Sequence, residues 1–278
     1  ETNPFYGRGC SAAFLEAQSY MRSWDKYLAT HQPQNEDAAN DGAPEKKKHG
    51  LFGHKDKDEG GDEEKKDAPD RDLAKDTLMG VMKGQIRVHI HCYRADEMAI
   101  MLDLAKEFGF KVAAFHHGVE AYKIADRLAA EGVCGALWAD WWGFKMEALD
   151  GIEENIALVD RPAGGCAIVH SDSAEGIQRL NQEAAKAMAH ARHAGLDIRP
   201  EHAIRWLTAN PAKALGIDQQ TGTLEPGKMG DVVVWNGTPF SVYAHAEKVY
   251  IDGALMFDRD DKARQPESDF LLGQGVSP

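Results

Sequence analysis

Three observations predict an α/β fold built on a parallel sheet. Short apolar runs with strand composition recur between Ile86 and Val169. Each ends in polar residues and is followed by a helical pattern, so a strand–helix unit repeats four times. After Gly216 the pattern gives way to short β segments with a hairpin signal.

Taken in order, residues 1–32 form a helical segment. Asn3-Pro4 and Gly7-Arg8-Gly9 read as loop. From Phe14 to His31 the apolar residues Phe14, Ala17, Met21, Trp24 and Leu28 fall on one helical stripe. Residues 33–72 are a charged insertion, with Glu45-Lys-Lys-Lys48 and the run Asp56–Lys66. A segment this poor in apolar surface cannot offset its chain entropy and is expected to be disordered, with His49 and His54 as solvated loop histidines. Order resumes at Leu73.

The four units follow. Strand Ile86–His91 precedes a helix near 95–107, and Lys111–Phe115 precedes His116-His117-Gly118 and a helix near 120–130. Strand Cys134–Trp138 precedes an aromatic loop and a helix near 152–159. Strand Ala167–Val169 precedes Asp172 and a helix over 177–194, ended by Gly195. Pro200 opens a helix over 203–208, and Pro211 opens a shorter one ended by Gly216. Short strands are expected at Thr223-Leu224 and Asp231–Trp235. A hairpin is expected from Lys248–Ile251 and Ala254–Phe257 around Asp252-Gly253, and residues 261–278 form a flexible tail.

Composition narrows the function. With 278 residues, 43% hydrophobic and 28% charged, the chain reads as soluble and globular, either cytoplasmic or periplasmic. A net charge of -13 argues against a nucleic-acid or anionic-membrane partner, and no apolar run is long enough to span a bilayer. The four cysteines, without any C-x-x-C, read as small buried hydrophobes. The first residue is Glu1, so the natural amino terminus is expected upstream and a missing signal peptide says nothing.

Chemistry collects at the carboxyl ends of the strands, where the loops of parallel α/β folds converge. His91, His117 and Asp172 stand at three of these four ends. Two imidazoles and a carboxylate suit Zn²⁺ or a similar divalent ion. Asp172 is also a candidate general base; the competing role for it or Ser173 is to cap the next helix. His89 and His91 share one side of their strand, but only four strand–helix units follow, too few for His89-Ile-His91 to open an eight-stranded barrel. Trp138–Phe144 could line a pocket or pack on neighbouring helices. Tyr93 and Arg94 are candidate substrate contacts. Arg94 could grip a carboxylate in two-pronged fashion, or form a surface ion pair where its helix starts.

Several motifs resemble the amidohydrolase superfamily. Asn210-Pro-Ala-Lys-Ala-Leu-Gly-Ile217, Gly222–Lys228, Asp231-Val-Val-Val-Trp235 and Val249–Gly253 look like its closing segment. His91–Glu97, His117–Tyr122 and His170-Ser-Asp-Ser173 resemble strands five, six and eight of members related to imidazolonepropionase and metal-dependent prolidases. The resemblance implies a partial (β/α)₈ barrel, about strands five to eight, over residues 73–216. It also implies part of a small β-sandwich over 217–260, with residues 1–32 following strand four.

The implied activity is hydrolysis of a C–N bond in a cyclic amide, N-acyl amino acid or dipeptide. One or two divalent ions, Zn²⁺ or similar, would be held by His91, His117 and Asp172, with Asp172 activating the water. The family's strand-one H-x-H pair and strands one to three are absent. The chain is therefore expected to be an incomplete fragment lacking its amino-terminal half-barrel. By itself it should bind metal weakly and self-associate through open sheet edges. The alternative is a non-catalytic scaffold remnant or subunit. Ala163-Gly164-Gly165 departs from the family's usual short turn, and the sequence offers no reason.

Overall fold

The computed structural model describes residues 4–31, 67–141 and 143–265. Residues 32–66 of the charged segment, His49 and His54 among them, and the tail from 266 onward lie outside the described residues. The chain divides into two compact units, residues 8–80 and residues 1–7 with 81–278.

In the smaller unit, α1 runs Pro4–Thr30 and α2 starts at Leu73 and ends at Met82. The expected loop at residues 4–9 is instead the first turns of α1. Proline is tolerated at a helix start because its missing N–H has no intrahelical partner there. Asp72 caps α2, its Oδ1 accepting from the N–H groups of Ala74 and Lys75. The Tyr20 hydroxyl donates to Asp76 (2.8 Å), which also accepts two bonds from Arg71.

The larger unit is mixed α/β. Strands β1 (Val88–His91), β2 (Val112–His116), β3 (Cys134–Leu137) and β4 (Ala167–Val169) form one parallel sheet in the order β1-β2-β3-β4. That order never reverses, whereas a doubly wound nucleotide-binding sheet reverses at its switch point. Between the strands lie α3 (Ala95–Phe108), α4 (Ala125–Glu131) and α5 (Asn155–Asp160); α6 (Leu180–His193) follows β4. Phe115, Leu137, Ala167 and Val169 line one sheet face and are buried. The other face carries two rows set by the register. His91, His116, Ala136 and Ile168 are paired neighbours, and so are His89, Ala114 and Cys134.

At the foot of that second face Ala114, Cys134, Cys166 and Ala214 form a small core, with Ile168 against it. Cys134 and Cys166 are joined by a disulfide, which corrects their reading as separate small hydrophobes. Ala214 belongs to α8 (Ala209–Leu215), reached through the short α7 (Pro200–Ala203). The side chain of buried Asn210, on α8, donates to the Ala167 carbonyl at 2.7 Å. This satisfies a backbone group on β4, the sheet's outer strand.

Space dictates the second glycine after α5. A Cβ on Gly165 would lie 2.5 Å from the Asp160 carbonyl oxygen and 2.7 Å from that of Val159. Only a residue without Cβ lets the chain turn this tightly from α5 into β4. Gly165→Ala is expected to cost about 1–3 kcal/mol, as overpacking does, read as a lower urea midpoint. An unchanged midpoint would show that the turn can relax.

Residues after Gly216 form an antiparallel sheet of β5 (Val232–Trp235), β6 (Ala246–Ile251) and β7 (Ala254–Asp258). The Asp252-Gly253 turn has positive φ at both residues, 49° and 77°, as a two-residue hairpin of this kind requires. Asp231 pins it, accepting from the Asp252 N–H and the Thr221 hydroxyl. The strand expected at Thr223-Leu224 is not formed. No helix among the described residues is long and apolar enough to cross a membrane.

Candidate active site

Five histidines gather at the carboxyl ends of β1, β2 and β4. His91 Nδ1 and His117 Nε2 converge to 2.7 Å, and His89 Nδ1 and His116 Nε2 to 3.0 Å. His170 lies beside both pairs, its ring centroid 5.5 Å from that of His116 and 5.9 Å from that of His117. The chain bends sharply here. His117 leaves β2 with φ 41° and Asp172 leaves β4 with φ 52°, a left-handed conformation uncommon for residues with a Cβ. Such strain collects at functional sites.

Two buried ring nitrogens, His117 Nδ1 and His170 Nε2, have no hydrogen-bond partner among the described residues. Burial lowers the pKa of His116 to about 4, helped by the neighbouring His170, His89, His91 and His117. Burial, then His91 and His170, bring His117 to about 4, with the Asp172 carboxylate opposing. His170 is lowered by burial, again against Asp172. These imidazoles are therefore neutral at pH 7 and keep a lone pair for a ligand.

The sign of the pH effect on stability follows. His116 and His117 take up protons only near pH 4 when folded, but near 6.5 when unfolded. Between those values the unfolded chain holds more protons, so stability falls as pH drops from about 6.5 to 4. Urea midpoints of chelator-treated protein should decline across this window, and His116→Asn should flatten the decline. A midpoint indifferent to pH there would mean that both imidazoles titrate normally.

Aromatic side chains wall the cluster. Trp138 stacks on His117 (5.1 Å, 17°), and its indole N–H donates to the Ser171 carbonyl. Tyr93 packs against both rings, 4.4 Å from His117 and 6.0 Å from Trp138. Trp141 and Phe144 extend the wall from Trp138 and are exposed. The aromatic loop thus packs on the histidines, not merely on helices.

The structure sorts the candidate residues. His91 and His117 come together, with Tyr93 against them. Asp172 is exposed and lies near enough to act electrostatically on His117 and His170. It does not complete a group of three metal-ligating side chains with the histidines; among the described residues no such group of three His, Cys, Asp or Glu is formed. Nor does it cap the next helix: the helix starts after β4 have no side-chain cap, and Ser173 Oγ accepts from the Gly176 N–H at 3.0 Å in the turn that precedes them. Arg94 is engaged two-pronged by Asp96, at 3.0 and 2.9 Å, the ion pair of a helix start. Buried Cys92, beside His91, has its thiol pushed up to about 12 by burial and Glu97, which rules out a thiolate nucleophile at neutral pH. Sequence alone gives His89, His116 and His170 no role at the site, and the structure brings all three into the cluster. The sequence signal was the doublet His116-His117 together with the period-two pair His89 and His91.

Comparison with known proteins finds relatives among the amidohydrolases. A stretch of 192 residues is 31% identical to the amidohydrolase tasK of Hapsidospora irregularis, covering 67% of this chain and 19% of that protein. A stretch of 68 residues is 32% identical to the imidazolonepropionase of Thermoplasma volcanium, covering 22% of this chain and 17% of that one. Among solved structures, an amidohydrolase from Thermotoga maritima superposes with a TM-score of 0.69 at 28% identity, over 91% of this chain and 56% of that one. The chain thus spans little more than half the length of that structure and about a fifth of each curated relative. Residues 160–266, which hold β4, Asp172 and the antiparallel sheet, match the model of the Amidohydrolase family, and the chain carries an amidohydrolase family domain.

Proposed function

We propose that the protein is a metal-dependent hydrolase of C–N bonds. On this reading its parallel sheet is strands five to eight of a (β/α)₈ barrel over residues 73–216, with 217–260 part of a small β-sandwich. Two features support the barrel: the sequential parallel strand order, and the likeness to the Thermotoga maritima amidohydrolase. The outer edge of β1, unpaired among the described residues, would take the barrel's preceding strands or a second copy.

The observation that carries the function is the convergence of His91 Nδ1 on His117 Nε2. Two nitrogens on one tetrahedral Zn²⁺ stand about 3.3 Å apart, so a small opening of the 2.7 Å gap would seat an ion. Both rings are anchored on strand ends, and His117 is neutral at pH 7. His91 and His117 would hold the ion, and Asp172 would face it from the end of β4. A divalent ion there would supply Lewis acidity and a water of lowered pKa. Asp172 takes the proton of the attacking water on a carboxylate oxygen and delivers it to the leaving nitrogen. His170, with a buried ring nitrogen to spare, hydrogen-bonds the bound carbonyl, and the Trp138 wall excludes bulk water. The substrate is a small amide or peptide.

One observation favours a second reading, a scaffold without catalysis: Asp172 stands apart from the histidine pair. Metal analysis of the natural full-length protein separates the two. Turnover of an N-acyl amino acid, dipeptide or cyclic amide that chelation removes and Zn²⁺ restores is the expected result. Substoichiometric metal with no turnover would leave the scaffold.

A further inference from the structure

We propose that Lys145 is the specificity residue of this site, recognising a substrate carboxylate placed about one residue from the scissile carbonyl. The substrates are then N-acyl amino acids or dipeptides rather than neutral cyclic amides. The inference rests on the hydrolase reading only for the position of the scissile bond.

The Lys145 ammonium lies over the Tyr93 ring, 3.9 Å from its centroid, and Tyr93 in turn lies 4.4 Å from His117. It therefore stands one aromatic ring away from the His91–His117 pair. A carboxylate one residue beyond a carbonyl lies roughly 3.5 Å further along the chain, and with a polar contact of about 3 Å at each end it reaches from the histidine pair to the ammonium. Lys145 has no carboxylate within ion-pair distance among the described residues; its neighbours are the faces of Tyr93 and Phe144. Arg94 is held by Asp96, and Lys186 by Asp140 and Glu183. An entering carboxylate therefore meets one positive charge against an aromatic wall.

The loop bearing Lys145 is fastened at several points. Asp140 accepts from Lys186 at 2.7 Å, the Gly143 N–H donates to the Ala148 carbonyl at 2.9 Å, and the Trp138 indole is tied to Ser171. This holds the ammonium where a ligand can use it without ordering a free loop.

The test is binding, read by quenching of Trp138 and Trp141 fluorescence in the natural full-length protein. The probes are a panel of N-acetyl amino acids with different side chains and their carboxamide twins, which lack only the negative charge. The best acid should bind ten- to a hundredfold more tightly than its twin, the range of a charge-assisted contact. Lys145→Met keeps the apolar stem and should bring that ratio near one without changing the melting temperature; Lys145→Arg should restore most of it. Acids and twins binding alike across the panel, or a preference surviving in Lys145→Met, would overturn the proposal. Turnover is scored separately. Carboxylate-selective binding without hydrolysis would sustain Lys145 while defeating the hydrolase reading, and hydrolysis without selectivity would do the reverse.

Discussion

His117→Ala in the natural full-length protein is expected to release its metal and lower kcat/KM by on the order of a thousandfold, the scale of losing several kcal/mol of Lewis-acid stabilisation. His117 combines what a ligand needs: a burial-depressed pKa, a nitrogen converged on His91, and a ring packed against both Trp138 and Tyr93. Asp172→Asn should behave differently. It preserves shape and removes the base, so kcat should fall steeply while KM moves little. His89→Ala should be the mildest of the three. His89 pairs with His116, one row deeper in the sheet, and takes no part in the His91–His117 contact. Metal content measured beside the kinetics makes the series discriminating. If His89→Ala lost the ion while His117→Ala kept it, the metal would belong to the deeper pair and the assignment would move there.

How much of this site was legible in the sequence depends on what each feature needs. The four strands and their helices announce themselves through local composition, and their order follows from alternation. The positions of His91 and His117 at strand ends are local facts as well. The histidine cluster is not local. His116 meets His89 and His91 because β1 and β2 pair with an irregularity between Val88 and His89, and nothing in either strand alone specifies that register. The role of Trp138 depends on the loop folding back onto β2 and β4. Ser173, not Asp172, bonds within the turn that follows, its hydroxyl accepting from the Gly176 amide after the left-handed backbone at Asp172. Conversely, the Arg94–Asp96 pair spans two residues at a helix start, so it was readable as a local ion pair. Gly165 needed the fold: its close approach to α5 is a contact no turn propensity encodes.

Loss of the Cys134–Cys166 disulfide should be the largest stability effect of a change outside the site. The two residues are 32 apart in sequence; Cys134 opens β3 and Cys166 immediately precedes β4. The pairing of Gly135 with Ala167 sets them side by side. Closing a loop of that length restricts the unfolded chain by about 3–4 kcal/mol in the entropy model. In native packing the pair fills the small core with Ala114 and Ala214. The double variant Cys134→Ala with Cys166→Ala keeps small apolar side chains there, so most of the loss should come from the missing crosslink. Its urea midpoint should fall to match that of the reduced parent, and reductant should then have no further effect. Turnover at 25 °C should change little, because Cys134 begins β3 and Trp138 follows its far end, roughly 13 Å away at strand rise. Thiol titration under denaturing, non-reducing conditions should find Cys10 and Cys92 reactive and the other pair not. If all four thiols titrate, the bond is not formed in the protein as isolated. If they do not, yet the double variant is as stable as the parent, the crosslink contributes nothing beyond the packing of its sulfurs.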